Sequence, residues 1–199
     1  AIAIEEIYLE NKEKTVSYKE YKASNKYDDA KKYLKVIEAE KPIKKTSASL
    51  YPVTNKSSVS TTPSDPYTTK LNSIGGTNWA SPLQSLTWEF SVPEDGYYNI
   101  GIRFRQNFVR GMYTSRSVLI DGQELFAELS DIQFKYSTKW QMLKLGEEET
   151  WDFYLTKGNH TITLTPTTSG FEKELIIVDE TNTLNSSSGQ GVGMRDGVA

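Results

Sequence analysis

Arginine, amide and aromatic side chains crowd one stretch of this chain, Tyr97 to Gly122, reading YYNIGIRFRQNFVRGMYTSRSVLIDG. Ile100, Ile102 and Phe104 alternate with Gly101, Arg103 and Arg105, the period of two that gives a strand one apolar face and here leaves guanidinium groups on the other. Gln106, Asn107, Phe108, Arg110, Tyr113 and Arg116 follow before a second predicted strand at Val118–Ile120, and Asp121-Gly122 has the residue types of a two-residue hairpin turn. A pyranose ring offers an apolar face to Trp or Tyr and a rim of hydroxyls to Arg, Asn and Gln, so this mixture suits sugar recognition. Asn78, Trp79, Arg103, Arg105, Asn107, Arg110, Tyr113 and Trp140 are the candidate ligand-binding residues. An arginine among them would pair bidentately with a uronate carboxylate. Each also has a plainer role open to it in a salt bridge or in packing, and Trp79 is either a core plug or a stacking platform.

Other chemistries fit less well. The single histidine, His160, opens a predicted strand and no Gly-x-Ser-x-Gly elbow is present, which removes the usual serine triad. The chain has no cysteine, so disulfides, thiolate metal sites and cysteine nucleophiles are excluded together. Two carboxylates would suffice for a glycosidase, but no acidic pair stands beside the aromatic cluster in sequence, and a non-catalytic role is expected. A net charge of −3 with lysines dispersed among acids leaves no basic stripe for nucleic acid. No run reaches the roughly 18 apolar residues of a membrane span. Ala1-Ile2-Ala3-Ile4 fits the stub of a removed signal or anchor, or a cut inside a longer protein. Glu38 and Glu40 project from one face of a predicted strand; they are either ordinary solvent-facing glutamates or oxygen ligands for Ca²⁺.

The elements that must position these residues are mostly strands. Residues 1–33 read as a polar lead-in with a capping box at Ser17 and Glu20, a short helix over Ser17–Ala23, and a second helical turn at Asp28–Lys32. Leu34–Glu40 reads as the first core strand, followed by Ser, Thr and Pro-rich loops with short strands at Ala48–Tyr51 and Tyr67–Asn72. Leu86 to Val92 alternates, Pro93 to Gly96 turns, and Gln123–Phe126 continues the hairpin. Phe134, Tyr136, Lys139 and Trp140 lie between Ile132 and Met142, the Glu147–Glu149 run reads as a solvated turn, and Trp151, Phe153 and Leu155 alternate. Lys157-Gly158-Asn159 turns into a strand at His160–Thr165, and Glu174–Val178 is the last strand. The expected fold is all-β, an antiparallel β-sandwich over 34–180 with a helical lead-in and a flexible linker or tail at 181–199.

Several of these motifs carry a family likeness. Ile37-Glu38-Ala39-Glu40, the Gly-rich loop, Val92-Pro93 with Gly96 and Tyr98, Arg103, and Ile120-Asp121-Gly122 resemble carbohydrate-binding modules of families 6 and 35. The run from Asn78-Trp79 through Arg103–Asn107 to Lys139–Met142 is similar to a module of large extracellular solute-binding proteins in bacterial carbohydrate ABC transporters. The likeness covers about Tyr33 to Thr165 and implies a galactose-binding-domain-like jelly roll. It further implies a structural Ca²⁺ held by Glu38 and Glu40 with a late acid, for which Asp179 is the candidate. A poly- or oligosaccharide ligand, a location on the outside of a bacterial cell and a transporter or surface-protein partner belong to the same expectation. A scaffold or protein-interaction role in such an assembly is the other reading it leaves open.

Overall fold

The computed structural model describes residues 15–56, 61–108, 110–146 and 149–167. The predicted last strand at Glu174–Val178, Asp179 and the tail at 181–199 lie outside the described residues.

The capping box forms. Ser17 Oγ accepts from the Glu20 amide at 3.3 Å and the Glu20 carboxylate accepts from the Ser17 amide at 2.8 Å, starting α1 at Tyr18–Ser24. Seven residues are too few to hold a helix in water, so tertiary contacts must stabilise it. Tyr18 and Tyr21 set their rings 5.1 and 5.3 Å from that of Phe126. Lys22 pairs with Asp152 at 2.8 Å and places its ammonium 3.5 Å above the Tyr97 ring. The second helical turn expected at Asp28–Lys32 does not form. Asp29 bridges Tyr97 instead, with the Tyr97 amide donating to Asp28 O at 3.1 Å. Gly96 permits this approach, because a Cβ there would stand 2.7 Å from the Ala30 nitrogen.

The strands follow in order as β1 (Lys44–Lys45), β2 (Pro52–Val53), β3 (Ser73–Ile74), β4 (Leu86–Val92), β5 (Gly96–Tyr98) and β6 (Gly101–Phe104). They continue as β7 (Tyr113–Ile120), β8 (Ile132–Lys135), β9 (Gln141–Lys144), β10 (Phe153–Leu155) and β11 (Gly158–Pro166). A five-stranded antiparallel sheet runs β1-β4-β11-β7-β8, with Ile162 opposite both Trp88 and Ile120. β5 and β6 pair along one edge with β10 and β9, in register Tyr98 with Phe153 and Gly101 with Lys144. This second layer packs on the first through Phe104, whose ring meets Phe134 edge-on at 4.9 Å. Leu86, Val118, Phe126, Leu129, Leu145 and Phe153 fill the core between them. The fold is the all-β antiparallel sandwich that the alternation requires.

Several boundaries differ from the sequence reading, each for a local reason. Leu34–Glu40 belongs to no strand: Ala39 and Glu40 form a turn closed by the Lys41 amide on Glu38 O at 3.1 Å, and β4 meets the segment through side chains instead of a backbone ladder, Trp88 Nε1 donating to Ala39 O at 2.9 Å; Leu34 and Val36 are 87% and 66% exposed. Ala48 and Ser49 form a turn that drops Leu50 into the core, so pairing starts at Pro52. Asp65 Oδ1 accepts from the amides of Tyr67 and Thr68, a side-chain turn that competes with a strand, and pairing is delayed to Ser73. β7 begins at Tyr113, five residues before the expected strand, because β8 offers it a partner from Lys135 to Ile132. Asp121 and Gly122 both take positive φ, 51° and 77°, as a type I′ turn needs. Pairing then stops after one bridge, from Ile120 to Gln123, and the chain enters a 3-10 turn at Ala127–Ser130. Gly158 and Asn159 join β11 instead of turning.

His160 is buried on β11 with both ring nitrogens facing oxygens: Asp121 Oδ2 at 2.7 Å from Nδ1 and Thr156 O at 2.6 Å from Nε2. Burial opposes a charged ring, but the bonds to Asp121 and Thr156 and the Asp121 charge outweigh it and raise the pKa above the ordinary 6.5. A raised folded pKa gives stability that is full below the unfolded value and fades as pH rises through the folded one. Asp121→Asn is therefore expected to lower the melting temperature at pH 6 and to close most of that gap above pH 8. Parallel thermal melts of the two proteins across this range check it.

Candidate functional site

Antiparallel pairing places the first group of candidate residues. Arg103 sits opposite Met142 and Phe104 opposite Gln141, so Trp140, one residue before β9, comes alongside Arg105. The guanidinium carbons of Arg103 and Arg105 lie 5.7 and 5.4 Å from the Trp140 ring, within cation–π range. Phe104 turns inward to Phe134, and its two arginine neighbours take the outer face, as their spacing predicts.

A second group forms around Trp79. Gly75 and Gly76 take φ of 103° and 69° and start a 3-10 turn, Gly76–Asn78, that delivers Trp79 to the end of the sandwich. The indole nitrogen donates to Gln84 O at 2.8 Å, and the ring lies 6.5 Å from Trp88. Its other neighbour is Arg116, whose guanidinium carbon is 4.7 Å from the ring. Arg116 donates to Trp79 O at 3.0 Å and to Ser115 O at 2.7 Å, and burial pushes its pKa down to about 10. Trp79 is thus a half-buried residue packed on the core and flanked by a cation. Ala at position 75 would bring its Cβ to 2.9 Å from Trp79 Cε3 on a backbone that side chains rarely adopt. Gly75→Ala is expected to cost about 1–3 kcal/mol and to shift Trp79 fluorescence, measured by equilibrium unfolding and emission spectra.

Gln106 organises the loop between these groups. It is buried, its side-chain amide donates to Met112 O at 3.2 Å, and its side-chain oxygen accepts from the Phe108 amide at 3.0 Å. The Ser137 amide adds a bond to its backbone carbonyl at 2.7 Å. Asn107 follows, and its Oδ1 is buried with no hydrogen-bond partner among the described residues. A buried acceptor left so costs about 1–3 kcal/mol, which a donor from a ligand would recover.

The two groups open on one cavity of about 1320 Å³. Asn78, Trp79, Arg103, Arg105, Asn107, Tyr113 and Trp140 line it, whereas Arg110 lies in an exposed turn outside the lining. Tyr113 enters from the first residue of β7 and Phe108, 58% exposed, from the loop. Among the described residues the charged lining consists of Lys35, Arg103, Arg105, Arg116 and Lys144 against one carboxylate, Glu38. Thr61 Oγ1 and Ser115 Oγ are further buried polar atoms without a partner among the described residues. Arg116 and Gln106 belong to the stretch singled out in the sequence but not to the eight residues named as ligand-binding. Counting back by twos from Ile120 and Val118 puts Arg116 on the inward face, and that was the available signal for it.

Glu38 and Glu40 differ in setting. Glu40 is 7% exposed, and neither carboxylate oxygen has a hydrogen-bond partner among the described residues; the Lys41 ammonium stands 3.9 Å from Oε1. Glu38 is half-buried, and its backbone carbonyl accepts from the Lys41 amide at 3.1 Å. A buried carboxylate without donors fits a cation ligand. Among the described residues no cluster of three acidic or histidine side chains completes such a site, and Asp179 lies outside them.

No protein-family model and no curated protein matches the sequence. Solved structures similar to the chain include a Paenibacillus sp. cycloisomaltooligosaccharide glucanotransferase complexed with cycloisomaltoheptaose, at 26% identity and TM-score 0.43, covering 65% of this chain and 15% of that one. A Podospora anserina GH26-CBM35 β-(1,4)-mannanase gives 16% identity and TM-score 0.41 over 66% of this chain and 27% of that one. This chain therefore spans well under a third of either enzyme. A family 35 carbohydrate-binding module from an environmental isolate gives 18% identity and TM-score 0.41 over 61% of this chain and 75% of that module.

Proposed function

We propose that this sandwich is a non-catalytic carbohydrate-binding module that prefers acidic sugars, those carrying a uronate or a comparable anionic group. One observation carries the reading: seven of the eight aromatic, amide and arginine candidates open on one cavity whose charged lining, among the described residues, is five cations and one carboxylate. Trp79 and Trp140 offer ring faces, Asn107 offers an unsatisfied acceptor, and the arginines offer carboxylate-matching donors. Glycan-array screening of the full chain tests the function. Retention of uronate-bearing glycans is expected, and retention of none, with or without Ca²⁺, would contradict it.

A scaffold role would call for the arginines to be buried in internal ion pairs. Arg103 is exposed and Arg105 half-buried, less burial than that reading calls for. The sequence likeness further supports a setting on the outside of a bacterial cell, in a glycan-uptake assembly with a transporter or surface-protein partner. No helix among the described residues is long and apolar enough to cross a membrane.

Ca²⁺ is part of the same proposal. Glu40 would hold it with Glu38 and a further acid, and the ion would neutralise a carboxylate that is buried without donors among the described residues. Saturating Ca²⁺ is expected to raise the melting temperature of chelator-treated protein, by about 2–4 °C for each kcal/mol of binding linkage. Glu40→Gln is expected to abolish the shift, and scanning calorimetry measures both.

A further inference from the structure

The cations that line the cavity are not equivalent. Lys35, Arg103 and Lys144 are exposed, so water and salt screen them. Arg116 is set apart by its partners. Burial lowers its pKa to about 10, and no carboxylate offsets the lost hydration, since among the described residues it joins no ion pair. Its contacts are neutral: the carbonyls of Ser115 and Trp79 at 2.7 and 3.0 Å, and the Trp79 ring at 4.7 Å. A guanidinium carries five N–H donors, and the two carbonyls take one from each terminal nitrogen. Nε–H and a second N–H on each terminal nitrogen remain, in the planar fork that matches a carboxylate at two points. An arginine is seldom withdrawn from water without an acid, because its desolvation then goes uncompensated. Two hydroxyls add a second sign of a missing ligand. Ser115 and Thr61, 2% and 6% exposed, line the same cavity with their side-chain oxygens unpartnered among the described residues, and each can donate to an anion.

We propose that Arg116 is the specificity-determining residue of the cavity, the group that reads a uronate carboxylate, while Trp140 holds the sugar ring. The inference rests on the acidic-sugar reading and assigns its discrimination chiefly to one residue. The two carbonyl bonds fix the guanidinium before ligand arrives, so little side-chain freedom is lost on binding. A charge pair is also worth about four times more at the effective dielectric near a protein surface than in bulk water, which favours Arg116 over the exposed cations. The ligand is thereby ordered in the cavity, its acid toward Trp79 and its ring face toward Trp140.

Titration calorimetry on the full chain, with a uronate-bearing oligosaccharide and its carboxyl-reduced form, tests this through the ratio of the two affinities. Wild type is expected to favour the acid at least about tenfold. Arg116→Gln is expected to bring the ratio to about 2 or below, with the neutral form still binding saturably. Trp140→Ala and Arg103→Gln are each expected to weaken both forms and to keep most of the ratio. Arg116→Lys, which keeps the charge without the fork, is expected to fall between wild type and Arg116→Gln, and it carries the test if the glutamine variant does not fold. An undiminished ratio in either Arg116 variant, or a ratio abolished by Arg103→Gln, would overturn the assignment to Arg116 and leave the acidic-sugar reading standing. Equal affinity of the wild type for the two forms would overturn both.

Discussion

Replacing Phe126 with alanine is expected to lower the unfolding free energy by about 3–5 kcal/mol, a large share of the stability of a domain this size. The side chain is fully buried, and its ring touches four others: Tyr18 and Trp151 at 5.1 Å, Tyr21 at 5.3 Å and Phe153 at 5.7 Å. Those rings come from α1, from β10 and from the residues just before β10, so no single segment can shift to fill the cavity left behind. The loss also releases the helix, because α1 holds to the sandwich chiefly by Tyr18 and Tyr21, with the Tyr18 amide bonded to Glu128 at 2.8 Å. Equilibrium denaturation with a far-ultraviolet readout checks the value. Phe108→Ala, at a ring that is 58% exposed, is the control and is expected to change stability by about 0.5 kcal/mol or less.

Trp140→Ala is expected to weaken sugar binding about 10- to 100-fold while moving the melting temperature little. The ring is half-buried just before β9, away from the fully buried core, so its removal opens no internal void. It takes away an aromatic face of the cavity and the surface against which Arg103 and Arg105 lie at 5.7 and 5.4 Å. Ring stacking and cation–π contact are each worth on the order of 1 kcal/mol, and losing both accounts for the expected range. Calorimetric titration of wild type and variant with the same oligosaccharide measures it. Arg103→Ala on top of Trp140→Ala is expected to cost less than Arg103→Ala alone, because the two side chains act together.

Regular local signals were readable from residue types alone. Ser17 and Glu20 gave the helix start because a capping box is a contact between neighbours, and Asp121-Gly122 gave its turn because both φ values are set within two residues. The alternation at Leu86–Val92 and at Ile102–Phe104 likewise named the inward faces, and with them the outward arginines. What failed depended on distant partners. Leu34–Glu40 has the composition of a strand, but strand formation needs a neighbouring strand to pair with, which local composition does not specify. Tyr113 and Arg116 were read as loop because their pairing comes from Lys135 to Ile132, across a turn and a 3-10 segment. That same pairing turns Arg116 inward beneath Trp79, which no local spacing in the Trp79 loop could announce. The burial of Glu40 and the orphaned oxygen of Asn107 are also products of packing, and they are the most informative features of the site.

The most direct measurement is isothermal titration of the full chain, in Ca²⁺, with an oligosaccharide that carries uronate carboxylates and with the same oligosaccharide after reduction of those groups to neutral alcohols. Saturable binding of the acidic form, at least about tenfold tighter than the neutral form and weakening as salt is raised, is the expected result. Equal affinity for the two forms would contradict the role assigned to Arg103, Arg105 and Arg116, and no heat with either would contradict the assignment of this cavity to acidic sugars.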